Sequence, residues 1–193
     1  MIKENILKIR KRIALVCSRV NLEAGLITIV AVSKFSQDLH LKSDKFNWSI
    51  DHLYNFSPLL NSHEEIIKQE PNYLLYFGRL SKEKGIKTLI NAVEKLDVKI
   101  DLKIVGTGVL EIELKKYIHD NNLTNIKLLG FKKGNELHKL IRESKFVIVP
   151  SQWYENNPMT IIESYCFGVP VIGSRIGGIP EIIDEGKTGF TYE

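Results

Sequence analysis

Residues 150–168, PSQWYENNPMTIIESYCFG, place two carboxylates on either side of a predicted helix start. Seven residues separate Glu155 from Glu163. Asn157 followed by Pro158 predicts where the helix begins, because asparagine is a favourable N-cap and proline is well tolerated in the first turn. We therefore expect Glu155 in a loop and Glu163 inside the helix.

The predicted start of this helix is a favourable place for an anion. The first backbone N–H groups of a helix point out of its end, where the helix dipole carries positive charge. The amides of Met159 and Thr160 would then hold a phosphate between two carboxylates that accept hydrogen bonds. A sugar nucleotide, in which hydroxyl groups flank a diphosphate, has the matching arrangement of groups.

The surroundings of Glu163 in the sequence are apolar and comprise Ile161, Ile162, Tyr165 and Cys166. A carboxylate that is buried without a partner is costly, and the hydroxyl groups of a ligand would supply a partner. The alternative is that Glu155 is a capping or surface carboxylate and that Glu163 is solvated. The residues by themselves leave both interpretations open.

The elements that must position these groups follow a regular pattern from Tyr73 onward. Short apolar runs predict strands at Tyr73 to Phe77, Ile100 to Val105, Ile126 to Leu129, Phe146 to Val149, Val169 to Ile172 and Thr188 to Tyr192. Helices are expected between them, at residues 86–96, 109–121, 134–143, 158–167 and 179–184. Alternating strands and helices with short loops predict an α/β fold with a doubly wound parallel sheet.

A sheet of this kind binds its ligand outside the carboxyl ends of its strands, near the point where the strand order reverses. The loops that follow the predicted strands are therefore the places where binding residues are expected. These loops are residues 78–85, 106–109, 130–134, 151–157 and 173–178.

The first of these loops, GRLSKEKG, supplies two cations, Arg79 and Lys84, beside a helix start. Arginine offers a planar fork and lysine a point charge, so together they could clamp adjacent phosphates and neutralise a departing diphosphate. The alternative is a pair of solvent-facing cations in a polar loop.

Two further loops carry weaker indications of a nucleotide site. Gly106 begins a glycine-rich loop between a predicted strand and a predicted helix, which is the context of a dinucleotide-binding motif. Glu111, however, occupies the position of the third glycine in that motif, so the motif is not present. Gly106 is expected either to allow close approach to a nucleotide or to turn the chain. Phe131 and Lys132 either offer backbone groups and an apolar edge to a base or end a strand.

The N-terminal third of the sequence has a different character. Isoleucines on one stripe and basic residues around them predict an amphipathic helix through about Asn21. This helix either packs on a core with a solvated basic face or lies on anionic lipid. Strands are expected at Leu26 to Val32, buried on both faces, and at Ile50 to Tyr54, with Ser33 capping a short helix between them. The polar segment Asn61 to Pro71 is the predicted boundary between domains at residues 1–60 and 72–193.

Composition narrows the class of protein. With 193 residues, of which 44% are hydrophobic and 26% charged, the chain can bury a globular core. Residues 1–48 carry nine Lys or Arg against four Asp or Glu, so the positive net charge belongs to the N-terminal part. No apolar run approaches the length of a membrane span. Cys17 and Cys166 lie in apolar contexts, which favours a protein of the reducing cytoplasm. The basic helix could in addition attach the protein peripherally to the inner face of the membrane. A nucleic-acid partner is not expected.

The motifs taken together resemble a known family. GRLSKEKG, IVGTG, LLGF, ENNPMTIIE, CFGVPVI, GGIPE and EGKTGF occur in the order found in family 4 of the retaining glycosyltransferases, which have the GT-B fold. The resemblance covers about Tyr73 to Tyr192 and corresponds to the Rossmann-like, C-terminal, donor-binding domain. Residues 26–56 are similar to the interdomain stretch of that family.

The resemblance implies roles for the residues described above. Arg79 and Lys84 would bind the donor diphosphate, Glu163 the ribose hydroxyls and Glu155 the transferred sugar. Amides from Asn157 to Thr160 would contact phosphate or sugar. The backbones of Phe131 and Lys132 would approach the base. No metal and no other cofactor is implied, because cations and helix-end amides supply the electrostatic stabilisation.

The implied reaction transfers a sugar from a nucleoside diphosphate sugar to an acceptor hydroxyl, with retention at the anomeric carbon, in cell-surface polysaccharide or glycolipid synthesis. Family members also have an N-terminal acceptor domain, of which residues 1–60 resemble only a remnant. We therefore expect the chain alone to bind donor but to transfer weakly or not at all, with a separate acceptor domain as a partner. The alternatives are a non-catalytic nucleotide-sugar-binding module of a split enzyme and a GT-B sugar-nucleotide epimerase.

Overall fold

The structure, a computed structural model, describes residues 29–42, 50–57 and 72–193. The predicted basic helix, the beginning of the strand predicted from Leu26 and the predicted connector at 61–71 lie outside these residues. The chain divides into two compact units between Asn55 and Phe56. No helix in the described ranges combines the length and the hydropathy of a membrane span.

The described part of the first unit is a small βαβ arrangement. Strands β1 (Ile29–Ala31) and β2 (Ile50–His52) pair in parallel, and helix α1 (Lys34–Leu41) lies between them in the chain. Ser33 is the N-cap of α1 and accepts the N–H of Ser36 at 3.0 Å, as predicted. Gln37 Nε2 donates to the carbonyl of Ile50 at 2.7 Å, which fastens the helix to β2.

The expectation that β1 is buried on both faces is wrong. Val30 is 53% exposed, whereas its neighbour Ala31 is buried. Successive side chains of a strand point to opposite faces, and α1 packs against β1 and β2. Among the residues that the structure describes, this helix covers one face of the pair, which leaves Val30 on the other.

The second unit contains a six-stranded parallel sheet, which confirms the predicted fold class. Its strands are β3 (Tyr73–Phe77), β4 (Asp101–Val105), β5 (Ile126–Leu128), β6 (Phe146–Val149), β7 (Val171–Ser174) and β8 (Gly189–Tyr192). The order across the sheet is β5-β4-β3-β6-β7-β8, and neighbouring strands are parallel. The chain therefore builds outward from β3 in one direction and then from β6 in the other.

Helices cover both faces of this sheet. A short 3-10 helix (Lys82–Lys84) precedes α2 (Ile86–Glu94), and the remaining helices are α3 (Glu111–Asp120), α4 (Gly134–Arg142), α5 (Met159–Cys166) and α6 (Ile179–Ile182). One core cluster joins α2 and α3 to the sheet, through side chains such as Ile90, Ile104 and Leu114. The other joins α4, α5 and α6 to the opposite face, through Ile141, Ile161 and Ile179.

Several predicted boundaries differ from the structure by one or two residues, including the starts of helix α5 and strand β7. Helix α5 begins at Met159, and Pro158 has the extended conformation of an N-cap, with φ −68° and ψ 122°. The prediction of Asn157 as N-cap and Pro158 in the first turn is therefore wrong by one residue. Strand β7 begins at Val171 and not at Val169, because Pro170 has no N–H to contribute to a strand ladder.

The reversal of strand order falls between β3 and β6. These two strands are neighbours in the sheet, but the loops that follow them lead to α2 and to α5, on opposite faces of the sheet. Such a divergence opens a crevice at the carboxyl ends of the strands, where sheets of this class bind ligands. The fold therefore places the loops after β3 and β6 at the position expected for a site.

Candidate functional site

Two adjoining cavities lie at the carboxyl ends of the central strands. The first, of about 230 Å³, lies between the loops after β3 and β6, and its lining includes Arg79, Lys84, Glu155, Pro158 and Thr160. The second, of about 440 Å³, lies over the ends of β3 and β4, and its lining includes Gly106, Phe131 and Lys132. Phe77, Gly78 and Arg79 line both cavities, so Arg79 stands at their junction.

The structure thus brings together most of the residues predicted from the sequence. Three others, Asn157, Met159 and Glu163, line neither cavity. Asn157 is buried beside the start of α5, whereas Met159 is exposed. Glu163 lies inside α5 and Glu155 in the loop before it, as the sequence predicted.

The loops after β3 and β6 meet through their backbones at Gly85. A Cβ atom at this position would lie 1.7 Å from the carbonyl oxygen of Pro150, and φ is 67°. The N–H of Gln152 donates to the carbonyl of Glu83 at 2.9 Å, and Gln152 Nε2 donates to Thr88 Oγ1 at 2.7 Å. Because a side chain cannot fit between the loops at Gly85, this approach requires glycine.

The loop after β4 is held against the loop after β3 in the same way. A Cβ atom at Gly106 would lie 1.9 Å from the carbonyl oxygen of Gly78. The N–H of Leu80 donates to the carbonyl of Thr107 at 2.9 Å, and the N–H of Gly106 donates to the carbonyl of Gly130 at 2.8 Å. The close approach that Gly106 allows is therefore to Gly78, in the wall of the cavities.

Glu155 is held through one carboxylate oxygen. Its Oε1 forms an ion pair with Lys84 Nζ and accepts a hydrogen bond from Ser151 Oγ at 2.8 Å. The carbonyl of Ser151 accepts from Ser174 Oγ at 2.7 Å, and the carbonyl of Glu155 accepts from the N–H of Gly178 at 2.7 Å. Within the described ranges no group donates to Glu155 Oε2, which leaves this oxygen available to a ligand hydroxyl.

Arg79 and Lys84 are in different electrostatic situations. The Arg79 side chain is exposed, and its guanidinium forms no hydrogen bond or ion pair with any residue that the structure describes. The Lys84 side chain is 32% exposed and is neutralised by Glu155, which is 18% exposed. Arg79 is therefore ready to receive an anion, whereas Lys84 shares its charge with a carboxylate.

The start of α5 adds backbone donors beside these cations. The first N–H groups of a helix have no acceptor within the helix. Thr160 lines the first cavity, and no side chain caps this helix end. The amides of Met159 and Thr160 are thus available at the helix end, where the dipole favours an anion.

Glu163 is half-buried on α5 and forms no hydrogen bond or ion pair with the rest of the described chain. Burial raises the pKa of its carboxyl group, and the nearby His138 on α4 lowers the pKa in part. A half-buried carboxylate without a partner fits a ligand-binding role, which stays a prediction because Glu163 lines neither cavity.

The second cavity has an apolar rim. Phe131 is 67% exposed, and Lys132 Nζ forms an ion pair with Glu136 Oε1 at 3.2 Å. An exposed aromatic ring beside the glycine backbone of Gly106 could accommodate a planar base. Within the described ranges, no group of three or more His, Cys, Asp or Glu side chains could hold a metal ion.

Sequence reasoning missed three groups that hold the site together. Ser151 and Ser174 support Glu155, and Tyr76 donates its hydroxyl to the carbonyl of Arg79 at 2.7 Å. The position of Tyr76, one residue before the end of β3, was the signal that could have identified it. The serines gave no comparable signal, because their partners come from other strand ends.

Comparison with known proteins decides the family. The profile of the family described as glycosyl transferases group 1 matches residues 60–193. The chain belongs to this family. A relative from Methanocaldococcus jannaschii, described as an uncharacterized glycosyltransferase, is 33% identical over 133 residues, which are 68% of this chain and 37% of the relative. The amylovoran biosynthesis glycosyltransferase AmsK of Erwinia amylovora is 32% identical over 130 residues, which are 63% of this chain and 32% of AmsK. The chain spans less than two fifths of the length of these relatives.

Solved glycosyltransferase structures share the fold. HepE of Anabaena, solved in complex with UDP, has a TM-score of 0.74 and 24% identity over 86% of this chain and 49% of HepE. The lipopolysaccharide outer core galactosyltransferase WaaB has a TM-score of 0.71 and 22% identity over 84% of this chain and 47% of WaaB. These likenesses confirm the predicted fold.

Gly85→Ala tests the backbone contact between the two loops. Gly168 has a similar φ of 69° but open space around its Cβ position, so Gly168→Ala is a matched control. The left-handed conformation costs each variant about 1–2 kcal/mol. The clash with Pro150 should lower the free energy of unfolding of Gly85→Ala by about a further 1–3 kcal/mol. Urea unfolding measures both values, and equal losses would contradict the contact.

Glu163→Gln tests the burial of that carboxylate. A group whose pKa is raised on folding gives its full stabilisation below its unfolded pKa and loses it as the pH rises through the folded pKa. Glu163→Gln should therefore increase the free energy of unfolding at pH 7, and the increase should vanish by about pH 4. Glu113→Gln, at an exposed carboxylate, should change stability by less than about 0.5 kcal/mol. A loss of stability in Glu163→Gln at pH 7 would contradict a Glu163 pKa that is raised by burial.

Proposed function

We propose that this chain provides the donor-binding part of a glycosyltransferase, which transfers a sugar from a nucleoside diphosphate sugar to an acceptor hydroxyl with retention. The observation that carries the proposal is the position of the Arg79 guanidinium, which has no hydrogen-bond or ion-pair partner among the described residues, at the junction of two cavities. One cavity has a carboxylate, Glu155, on its wall, and the other has an aromatic ring, Phe131. A diphosphate at the junction would place a sugar on one side and a nucleoside on the other.

The diphosphate would be held by groups from two strand ends. Arg79 supplies a planar fork, and Lys84 supplies a point charge from the same loop. The first amides of α5, at Met159 and Thr160, approach from the loop after β6. We therefore assign the electrostatic stabilisation of the departing diphosphate to these groups and not to a metal ion.

Lys84 would have a second role in the reaction, because its ammonium group also neutralises Glu155. As the bond between the sugar and the phosphate breaks, negative charge grows on the diphosphate, and interactions that strengthen at that stage accelerate the reaction. A lysine placed between a carboxylate and the leaving group can shift its charge toward the phosphate as that charge develops. Glu155 Oε2 meanwhile remains for a hydroxyl group of the sugar.

The nucleoside is assigned to the larger cavity. Its base would lie near the backbones of Phe131 and Lys132, beside Gly106, and its ribose hydroxyls would reach Glu163. Support comes from the solved neighbours, since HepE has been crystallised with UDP and with UDP-glucose and the pneumococcal O-GlcNAc transferase GtfA with UDP and GlcNAc. Uracil is therefore the first base to test.

The biological setting is proposed from the relatives. AmsK acts in amylovoran biosynthesis, and a Salmonella typhimurium relative is a lipopolysaccharide 1,2-N-acetylglucosaminetransferase. We propose a role in polysaccharide or glycolipid synthesis, with a sugar or a lipid-linked sugar as acceptor. We propose a cytoplasmic location, and the basic bias of residues 1–48 supports attachment to the inner face of the membrane.

The assignment of functions to the two parts of the chain is also a proposal. Residues 72–193 would form the nucleotide-sugar-binding domain, and residues 1–60 would belong to the acceptor domain and the interdomain linker. The solved neighbours support this division, because the chain covers less than half of HepE and of WaaB. Acceptor binding is assigned to the part of those proteins that this chain does not match.

Arg79→Ala tests diphosphate binding. It should weaken the binding of a nucleoside diphosphate by about tenfold or more, because a hydrogen bond to a charged group contributes about 1.5–3 kcal/mol, and it should leave binding of the nucleoside unchanged. Lys84→Ala should act in the same direction. Calorimetry with UDP, GDP and ADP and their nucleosides, in buffer containing EDTA, measures these affinities. Lys87→Ala removes an exposed lysine that pairs with Glu113 outside both cavities and is the control. Equal losses for diphosphate and nucleoside would rule out the clamp.

Glu155→Gln tests recognition of the sugar. The unmodified chain should bind a UDP-sugar more tightly than UDP, because Glu155 accepts a sugar hydroxyl. Glu155→Gln should abolish this difference without weakening UDP binding, since it also releases Lys84 from its ion pair. Competition binding with UDP-glucose, UDP-N-acetylglucosamine and UDP measures the difference. A variant that keeps the full preference for the sugar conjugate would remove Glu155 from the sugar site.

A further inference from the structure

We infer that Tyr76 is a positioning residue, whose hydroxyl group fixes the main chain of Arg79 so that its guanidinium stands at the junction of the two cavities. The inference rests on the proposed function and assigns it a further residue. Tyr76 lies in β3 and is 3% exposed, and it lines the smaller cavity together with Arg79, Lys84 and Glu155.

The contact that carries the inference is short and specific. Tyr76 Oη donates to the carbonyl of Arg79 at 2.7 Å, and the same carbonyl accepts the N–H of Ser81 at 3.1 Å. A carbonyl with two donors has its orientation fixed, and the peptide plane that follows Arg79 is fixed with it. The loop therefore depends on a side chain that belongs to the rigid strand before it.

The residues on either side of Arg79 are also fastened. The N–H of Gly78 donates to the carbonyl of Val105 at 3.0 Å, and the N–H of Leu80 donates to the carbonyl of Thr107 at 2.9 Å. Leu80 is fully buried. With these contacts and the Tyr76 hydroxyl in place, the side chain of Arg79 is the part of the residue that stays free to move. Binding an anion then costs only the ordering of that side chain.

The surroundings of Tyr76 keep its hydroxyl protonated. Burial raises the pKa of Tyr76 well above its usual range, and the carboxylates of Glu155 and Glu83 raise it further. The hydroxyl therefore remains protonated and able to donate a hydrogen bond at neutral pH. The bond to the Arg79 carbonyl is in turn a lasting feature of the site.

The same strand offers a matched control. Tyr73 is 2% exposed, and its hydroxyl donates to the carbonyl of Leu140 at 2.8 Å, but it lines neither cavity. Tyr73→Phe and Tyr76→Phe each remove one buried hydroxyl-to-carbonyl hydrogen bond from β3. General softening of the strand should affect both variants, whereas a positioning role at Arg79 should affect one.

The experiment measures binding by the full chain to UDP, GDP and ADP and uses the tightest of them with its own nucleoside. Tyr76→Phe should weaken the nucleoside diphosphate by about two- to tenfold, the range expected for one net hydrogen bond, and should leave the nucleoside unchanged. In an Arg79→Ala background, Tyr76→Phe should have no further effect, because a residue that acts through Arg79 loses its effect when the guanidinium is gone. Tyr73→Phe should bind as the unmodified chain does.

Three results would overturn the inference. These are unchanged binding by Tyr76→Phe, the same fold-loss with and without Arg79, and an equal loss in Tyr73→Phe. If the unmodified chain binds none of the three nucleoside diphosphates, the proposed function fails and the inference fails with it. Binding by the unmodified chain with no loss in Tyr76→Phe would overturn the inference alone.

Discussion

The backbone of Gly85 lies so close to the carbonyl of Pro150 that no side chain fits between them, and the site depends on this approach. It joins the loop after β3 to the loop after β6, which are far apart in the sequence and adjacent only because the strand order reverses between these strands. The same approach brings Lys84, the neighbour of Gly85, to Glu155, with which it forms an ion pair. Parallel strands make such meetings possible by bringing their carboxyl ends to one edge, and glycine determines how close the loops come.

The close approach also sets the electrostatics. Lys84 and Glu155 neutralise each other at the wall of the smaller cavity, and Ser151 holds the same carboxylate oxygen. Arg79 stands beside this pair without a hydrogen-bond or ion-pair partner among the described residues, although the Glu83 carboxylate lies close enough to attract its charge. Arg79 and Lys84 can bind phosphates, and the second carboxylate oxygen of Glu155 can accept a hydroxyl group. This combination suits a ligand that carries both phosphates and hydroxyls. Two free cations would hold an anion as well but would leave the carboxylate without support.

Much of this arrangement could be predicted from the sequence, because hydrophobic periodicity reports strands and helices directly. The bounds of β3 and β6 match the prediction, and the loop residues Arg79, Lys84 and Glu155 follow from them. Contacts between distant segments could not be predicted. Nothing in the sequence indicates that Ser174 donates to the carbonyl of Ser151, or that Lys84 pairs with Glu155. The sequence predicts the N-cap of α5 one residue early, because Asn157 and Pro158 are both favourable at a helix start and only the backbone angles distinguish their positions.

The most direct test is to map where a nucleoside diphosphate binds, by following backbone amide chemical shifts of the full chain on addition of UDP, GDP and ADP in turn. The proposed function predicts that the largest changes occur in the loop after β3, at Gly106, at Phe131 and at the first amides of α5. A groove between α2 and α3, lined by Lys87, Glu113 and Tyr117 among others, is the alternative location on the same unit. Largest changes in that groove, or none at the strand ends, would contradict the proposed donor site.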